Sequence, residues 1–140
     1  MAGSKSAYLE AALVQHVLGN VPYTAPGTLY VALSLSPFDT AATGSAMDEV
    51  AGGGYGRIAL TNNLTNFPAP VGANPAVLSN GVDIAFATCT VDWGIILSAY
   101  LIDASSAGEA LYGGDLASPV VVTVGPSITI AATQFVFQEI

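Results

Sequence analysis

The residues best suited to acid–base chemistry are carboxylates at the ends of predicted strands. Asp83, Asp92 and Asp103 all occupy such positions. Two carboxylates that a fold brings together can serve as acid and base, or as acid and nucleophile, in hydrolysis. Aspartates beside turns also hydrogen-bond to backbone groups and stabilise those turns, and we favour this structural role. An acid hydrolase is therefore the last of our functional hypotheses.

The histidine, the cysteine and the remaining acids do not form a recognisable reactive or metal-binding pattern. His16 lies in a predicted helix without an acid at triad or zinc-site spacing, so we expect a structural or interfacial residue. Cys89 is the only cysteine and lies in an apolar run, which favours a small buried side chain. Asp39, Asp48 and Glu49 could share a cation, but they lack calcium-loop spacing. We predict no catalytic residue, no metal and no cofactor.

A glycine-rich run over residues 52–56 invites comparison with phosphate-binding loops. Such loops follow a strand, open a helix, and continue with Lys and then Ser or Thr. Here a loop precedes the run, a strand follows it, and Arg57 is the only nearby cation. We therefore expect a turn that allows Tyr55 and Arg57 to pack against the rest of the fold.

The composition limits the classes of partner. The chain has 140 residues, of which 52% are apolar and only 9% are charged, whereas soluble domains average about a quarter charged residues. Two basic residues against ten acidic ones cannot build the cationic groove that nucleic acid requires. No apolar run approaches the roughly 18 residues of a membrane span, and no export signal is evident, so we expect cytoplasmic synthesis. A surface with so few charged residues is typical of a subunit in an assembly.

The first predicted element is a helix over about residues 4–18. Ser4 or Ser6 can cap its start, and Leu9, Leu13 and Val17 recur at helical spacing along one face. A Gly-Asn pair follows the last of these residues and is typical of a helix end.

Beyond this helix the apolar period changes to two, which predicts strands. Turn signals such as Asn80-Gly81 and Gly113-Gly114 separate the strands. A parallel sheet is excluded because one helix cannot supply its crossovers. The sequence therefore predicts one mainly β domain over residues 1–140, an antiparallel β-sandwich of about seven to eight strands with one N-terminal α-helix and two long loops. The predicted strands cover residues 28–35, 57–61, 82–88, 95–102, 110–112, 120–124, 127–131 and 134–139, and the loops cover residues 36–56 and 62–80.

The order of several short motifs resembles the virion proteins of short-tailed bacteriophages, which are commonly labelled tail fibre or minor structural proteins. The motifs are YTAP (residues 23–26), LYVALS (29–34), GGYGR (53–57), NN (62–63), FP (67–68), NG (80–81), WG (93–94), IDA (102–104) and LYG (111–113). The resemblance spans nearly the whole chain. It implies a structural protein of the virion and implies no catalytic residues.

Composition and resemblance together predict a non-enzymatic virion subunit that binds copies of itself and other virion proteins, without nucleic acid or membrane. We expect a capsid decoration, or cement, role first, because the chain is short and lacks a fibrous repeat. A collar, tail fibre or tail tip attachment role is the alternative. The predicted interface residues are Leu9, Leu13 and Val17 on the helix, Tyr55 and Phe67 in the long loops, and Trp93 in a turn.

A carbohydrate-binding module is the hypothesis from another functional class. Sandwiches with aromatic loops often bind sugars, and Tyr23, Tyr55, Trp93 and Tyr112 could stack on sugar rings. Contact with host glycans would be the corresponding role on a phage particle.

Overall fold

The predicted mainly β fold class is confirmed by the computed structural model, which describes residues 2–73 and 75–139. Within those ranges one α-helix accompanies a seven-stranded sheet and a two-stranded sheet. The elements in chain order are β1 (Ala2–Lys5), α1 (Ala7–Leu18), β2 (Thr28–Ser34), β3 (Ile58–Thr61), β4 (Ala76–Ser79), β5 (Ile84–Ala85), β6 (Gly94–Ile102), β7 (Ala110–Val122), β8 (Thr129–Ile130) and β9 (Val136–Glu139).

The centre of the large sheet is built from β2, β6 and β7, where the predicted strand pattern is strongest. β6 pairs antiparallel with β2 on one side and with β7 on the other. Val31, Leu33 and Ile96 are fully buried, because β-branched and aliphatic side chains on this surface pack into the core. These strands therefore form the rigid frame on which the loops and the helix are placed.

The large sheet is mainly antiparallel, as the sequence predicts, and it contains one parallel pair that the sequence does not predict. Its strand order is β3-β2-β6-β7-β1-β9-β4, and β1 runs parallel to β9 with Ala2 opposite Val136. The crossover argument considered only local connections and therefore did not predict this pair. Here the connection between the two parallel strands is most of the chain itself.

The predicted Gly113-Gly114 turn is wrong, because both glycines lie inside the long strand β7. Gly113 is opposite Tyr100 of β6. The ring of Phe38 occupies the space that a side chain at Gly113 would fill, and it packs on Tyr100 with ring centroids 5.1 Å apart. Glycine at this position therefore makes room for a ring from the first long loop and does not turn the chain.

The helix begins at Ala7 and not at about residue 4, because Ser4 and Lys5 belong to β1. Ser6 is the N-cap, as one of the two predicted serines, and its Oγ accepts a hydrogen bond from Leu9 N at 3.1 Å. The same hydroxyl donates to Ala110 O in β7 at 2.5 Å. A single buried serine therefore starts the helix and fixes it to the sheet.

The large sheet curls around an apolar groove. Leu29 of β2, Leu101 of β6, Leu111 of β7, Phe137 of β9 and Leu78 of β4 all line this one space, although β4 is an edge strand and β2 lies near the opposite edge. Twist and two register shifts between β6 and β7 are consistent with this curvature. Strand β4 was not predicted and divides the second long loop.

Candidate functional site

The three strand-end aspartates each bind a different backbone segment. Asp83 accepts a hydrogen bond from Ala132 N at 2.8 Å, and Asp92 accepts one from Val124 N at 2.9 Å. Asp103 accepts one from Glu109 N at 2.8 Å. The contacts of Asp83 and Asp92 join segments that are distant in the chain, so these aspartates hold neighbouring loops together. None of these contacts pairs one carboxylate with another.

Arg57 is the best-anchored charged side chain in the described part of the chain. Its Nε and Nη2 donate to the two carboxylate oxygens of Glu49, each at 2.8 Å. Its remaining three donors reach the carbonyl oxygens of Gly44, Ala104 and Ala107 at 2.8–2.9 Å. The side chain is 4% exposed, and all five guanidinium donors are used. Arg57 therefore holds the first long loop against the turn that follows β6.

Tyr55 completes this cluster, which we call the Arg57 cluster (Glu49, Tyr55 and Arg57). Its hydroxyl accepts a hydrogen bond from Leu33 N at 3.0 Å and donates to Glu49 Oε2 at 2.7 Å. Burial, and the negative charge of Glu49, raise the pKa of Tyr55 well above its ordinary value. The hydrogen bond to Glu49 raises the pKa of Arg57. The cluster therefore keeps a neutral tyrosine and a cationic arginine across physiological pH.

The glycine run packs against Trp93 and does not face an open anion site. Gly53 O accepts hydrogen bonds from Trp93 Nε1 at 2.9 Å and from Thr90 N at 2.8 Å. Gly53 has φ +55°, and a Cβ there would lie 2.6 Å from Val91 O, so only glycine fits without strain. Trp93 is buried and meets Tyr55 edge-on at 5.5 Å. The run allows Tyr55 to dock, as the sequence predicts.

The remaining groups with metal-binding chemistry also make structural contacts. Cys89 is buried, and its Sγ donates to Val91 O. His16 Nδ1 lies 3.1 Å from Val21 O beyond the end of α1. Asp39 accepts from Ala41 N, and Asp48 accepts from Ser36 Oγ. Across residues 2–73 and 75–139, no group of three or more His, Cys, Asp or Glu side chains is placed to hold a metal ion.

The groove inside the curled sheet has a volume of about 400 Å³. Its walls are almost entirely apolar, and none of its lining residues is Asp, Glu, Lys or Arg. Such a space can hold apolar groups but offers little to a charged substrate. Its lining comprises Leu9, Leu13, Tyr23, Ala25, Pro26, Leu29, Asn62, Phe67, Pro70, Ala76, Leu78, Leu101, Leu111, Tyr112, Phe137 and Gln138.

The six predicted interface residues have different environments. Leu9, Phe67 and Trp93 are buried within the single chain, and Leu13 and Tyr55 are partly buried against the core. Val17 is 74% exposed. Leu9, Leu13 and Phe67 share the groove, whereas Tyr55 and Trp93 pack together elsewhere. Their roles in contacts between molecules stay predictions.

Sequence reasoning missed several exposed apolar residues in the second half of α1 and just after it. Val14, Leu18 and Val21 are 57%, 83% and 48% exposed. A search for apolar residues at helical spacing selects the face of α1 that packs inward. It does not select the exposed apolar residues next to that face. The signal that could have found them is the absence of any charged residue between Glu10 and Asp39. A helix end that faces water usually carries charge.

Comparison with known proteins places the chain among phage structural proteins. A protein-family model described as "Podophage GP4 fiber I protein gp80" matches residues 4–138. The match confirms the resemblance to virion proteins of short-tailed phages. No curated protein matches the chain. In the described part of the chain, no helix has both the length and the apolar character that crossing a bilayer requires.

Proposed function

We propose a non-enzymatic, structural role in the fibre apparatus of the virion for this chain, which belongs to the podophage GP4 fiber I protein family. The family match over residues 4–138 is the observation that carries the proposal. It covers the helix, both long loops and nearly all of both sheets. Its partners are copies of itself and other virion proteins.

The use of the polar side chains supports a structural role. Arg57 and Glu49 bind each other and the backbone, and the strand-end aspartates bind neighbouring loops. Side chains held in this way fix the shape of the molecule. The groove lining contains no Asp, Glu, Lys or Arg, which lowers the desolvation cost of contact with other proteins there. A subunit that acts by binding its neighbours needs both properties.

The family description favours a fibre position over the capsid decoration role that chain length suggests. In both roles the subunit stabilises the assembled particle, because it binds the particle and not the free components. They differ in copy number. A fibre or collar component is present in a small symmetric set, on the order of ten copies, whereas a decoration protein covers the shell in hundreds of copies.

Quantitative mass spectrometry of purified particles, with the major capsid protein as internal standard, tests the proposal. We expect on the order of ten copies per particle, and we expect antibody labelling at the tail in electron micrographs. Hundreds of copies with labelling over the shell would favour the cement role. Absence of the protein from purified particles would overturn a virion role of either kind.

Carbohydrate binding is the second candidate, because Tyr23 and Tyr112 line the groove. The other two aromatic residues of that hypothesis, Tyr55 and Trp93, pack on one another, and Tyr55 also stacks on Phe86. A glycan array probed with the purified protein tests this role. Binding that Tyr23→Ala abolishes, in a variant that keeps its unfolding midpoint, would support it. Silence across bacterial polysaccharides would favour the structural role alone.

A further inference from the structure

The Asn-Gly pair at residues 80–81 follows β4, and its asparagine is fully buried. No other asparagine in the sequence precedes a glycine. Asparagine is chemically labile. It is most labile before glycine, because glycine has no side chain to shield its nitrogen and adopts backbone angles that other residues avoid. The nitrogen of Gly81 can attack the side-chain carbonyl carbon of Asn80 wherever the fold leaves both groups free.

The fold holds the side-chain amide of Asn80 with three hydrogen bonds. Its Nδ2 donates to Val82 O at 2.8 Å and to Ala131 O at 3.0 Å. Its Oδ1 accepts a hydrogen bond from Phe135 N at 2.9 Å. All three partners are backbone groups, so the amide can rotate toward the nitrogen of Gly81 only after these bonds break.

The attacking nitrogen is also engaged in the folded chain. Gly81 N donates a hydrogen bond to Asn66 O at 2.8 Å. A Cβ at Gly81 would contact Thr65 O and the ring of Pro68, so glycine allows the second long loop to approach this closely. Packing therefore requires the same glycine that makes the pair reactive, and the loop that it admits holds its nitrogen.

The products of the reaction do not fit the site. Attack forms a bond between Gly81 N and Asn80 Cγ, and the amide nitrogen leaves as ammonia with the proton of Gly81 N. Water then opens the ring and gives aspartate or isoaspartate. A carboxylate has no hydrogen to donate to Val82 O and Ala131 O, and it would bury a charge. Isoaspartate also adds Cβ to the main chain, which displaces the residues that follow.

We propose that Asn80 is a site of spontaneous deamidation that is closed in the folded chain and open in the unfolded chain. A chain that deamidates before it folds does not regain the native contacts of β4 and β9. The unfolded chain therefore has a limited lifetime during which it can still fold. The inference goes beyond the proposed function and does not depend on whether the chain is found in virions.

Incubation of the purified full chain in buffer and in guanidinium chloride, at the same mildly alkaline pH, tests the closure of the site. Peptide mass spectrometry measures the conversion of Asn80. We expect conversion to be at least about a hundredfold slower in buffer, because it requires opening of the structure around Asn80. Equal rates in the two conditions would show that the native fold leaves the site open and would overturn the proposal.

Ala107→Asn is the matched control, because it creates a second Asn-Gly pair at an exposed position. Ala107 has φ +50°, which asparagine adopts more readily than alanine, so we expect the variant to fold. The added pair should deamidate at similar rates in buffer and in denaturant, while Asn80 in the same molecule stays protected in buffer. Equal protection of both pairs would contradict a role for the contacts of Asn80.

Asn80→Asp supplies one product directly, and Asn63→Asp is its control. Asn63 is exposed, and its Oδ1 accepts hydrogen bonds from Thr65 N and Asn66 N, so a carboxylate there keeps both bonds. Asn80→Asp adds the same charge where the fold requires a donor. At a fixed denaturant concentration we expect an unfolded fraction at least about tenfold larger for Asn80→Asp. Superimposable unfolding curves would contradict the proposal.

Refolding of the wild type measures the consequence of the natural modification. Chains held in guanidinium chloride for increasing times are diluted into buffer, and size-exclusion chromatography separates native from misfolded chains. We expect the modified form of Asn80 to be depleted at least about tenfold from the native fraction. The modified form of the added pair in Ala107→Asn should occur in both fractions. Equal amounts of modified Asn80 in both fractions would show that the fold accepts the product and would overturn the proposal.

Discussion

At the scale of single residues, the fold is held by polar side chains that join distant loops. Arg57 connects the loop of Gly44 and Glu49 to the turn of Ala104 and Ala107 with five hydrogen bonds. Such a planar array of donors is specific to the guanidinium group, because an ammonium group has only three donors on a flexible stem. One of the two basic residues of the chain is therefore structural.

Replacement of Arg57 by lysine tests the role of the planar guanidinium donors. Arg57→Lys keeps the positive charge but leaves some of the five acceptors without a donor, so we expect a loss of about 2–3 kcal/mol in the free energy of unfolding. Guanidinium chloride denaturation, followed by the fluorescence of Trp93, measures the loss.

The partner residue provides the comparison for this prediction. Glu49→Gln should cost about as much as Arg57→Lys, and the double variant should cost less than the sum, because both changes disrupt one network. Glu10→Gln, on the exposed surface of α1, should stay within about 0.5 kcal/mol of the wild type. Additive losses at Arg57 and Glu49 would show that the two residues act separately.

At the scale of elements, α1 is fixed mainly through its first turn. Ser6 caps the helix and binds β7, and Leu9 is the only helical residue that is buried. The following turns expose progressively more apolar surface toward Leu18, the last residue of α1. Most of the stabilisation of a short helix comes from packing, so the stability of α1 depends on these first contacts.

Removal of the cap tests this dependence. Ser6→Ala deletes the hydrogen bond from Leu9 N and leaves Ala110 O without its hydroxyl donor, so we expect a loss of about 1–2 kcal/mol. Hydrogen exchange should accelerate in the amides of α1 more than in those of β6. Ser105→Ala, at an exposed position in a turn, is the control, and equal acceleration in both elements would contradict a local role for the cap.

The elements also show what sequence patterns could predict. The helix, β2, β3 and β6 carry strong periodicity and were located to within a few residues. The structures of β1 and of Gly113 in β7 depend on distant neighbours, because β1 pairs with β7 and β9 and Phe38 requires a small residue at Gly113. The docking of Tyr55 and Arg57 was anticipated from the glycine run, but the groove was not, because its walls come from seven separate segments.

At the scale of the whole molecule, burial of phenol groups makes stability depend on alkaline pH. Burial is the main cause that raises the pKa values of Tyr23, Tyr55, Tyr100 and Tyr112. In the unfolded chain tyrosines lose their protons near pH 10. Above that pH the native state holds more protons than the unfolded state, so the free energy of unfolding falls as pH rises.

We therefore expect the buried tyrosines to contribute their full stabilisation below about pH 10. Above that pH this contribution to the free energy of unfolding is lost progressively. Urea denaturation at a series of pH values from neutral to strongly alkaline measures the effect, with tyrosinate absorbance as a parallel probe. Tyr112→Phe removes one buried phenol group and should make the decline shallower. An unfolding midpoint that does not change through the alkaline range would contradict the effect of burial.

The parallel pairing of β1 with β9 determines how the molecule responds to mechanical load. If Ala2 and Glu139 are pulled apart, the two strands are drawn in opposite directions along their own axes, because they run side by side in the same direction. The hydrogen bonds between them are then loaded in shear, and they must rupture together instead of opening one after another. A fibre subunit tethered at both ends would therefore resist extension until the pair of β1 and β9 yields.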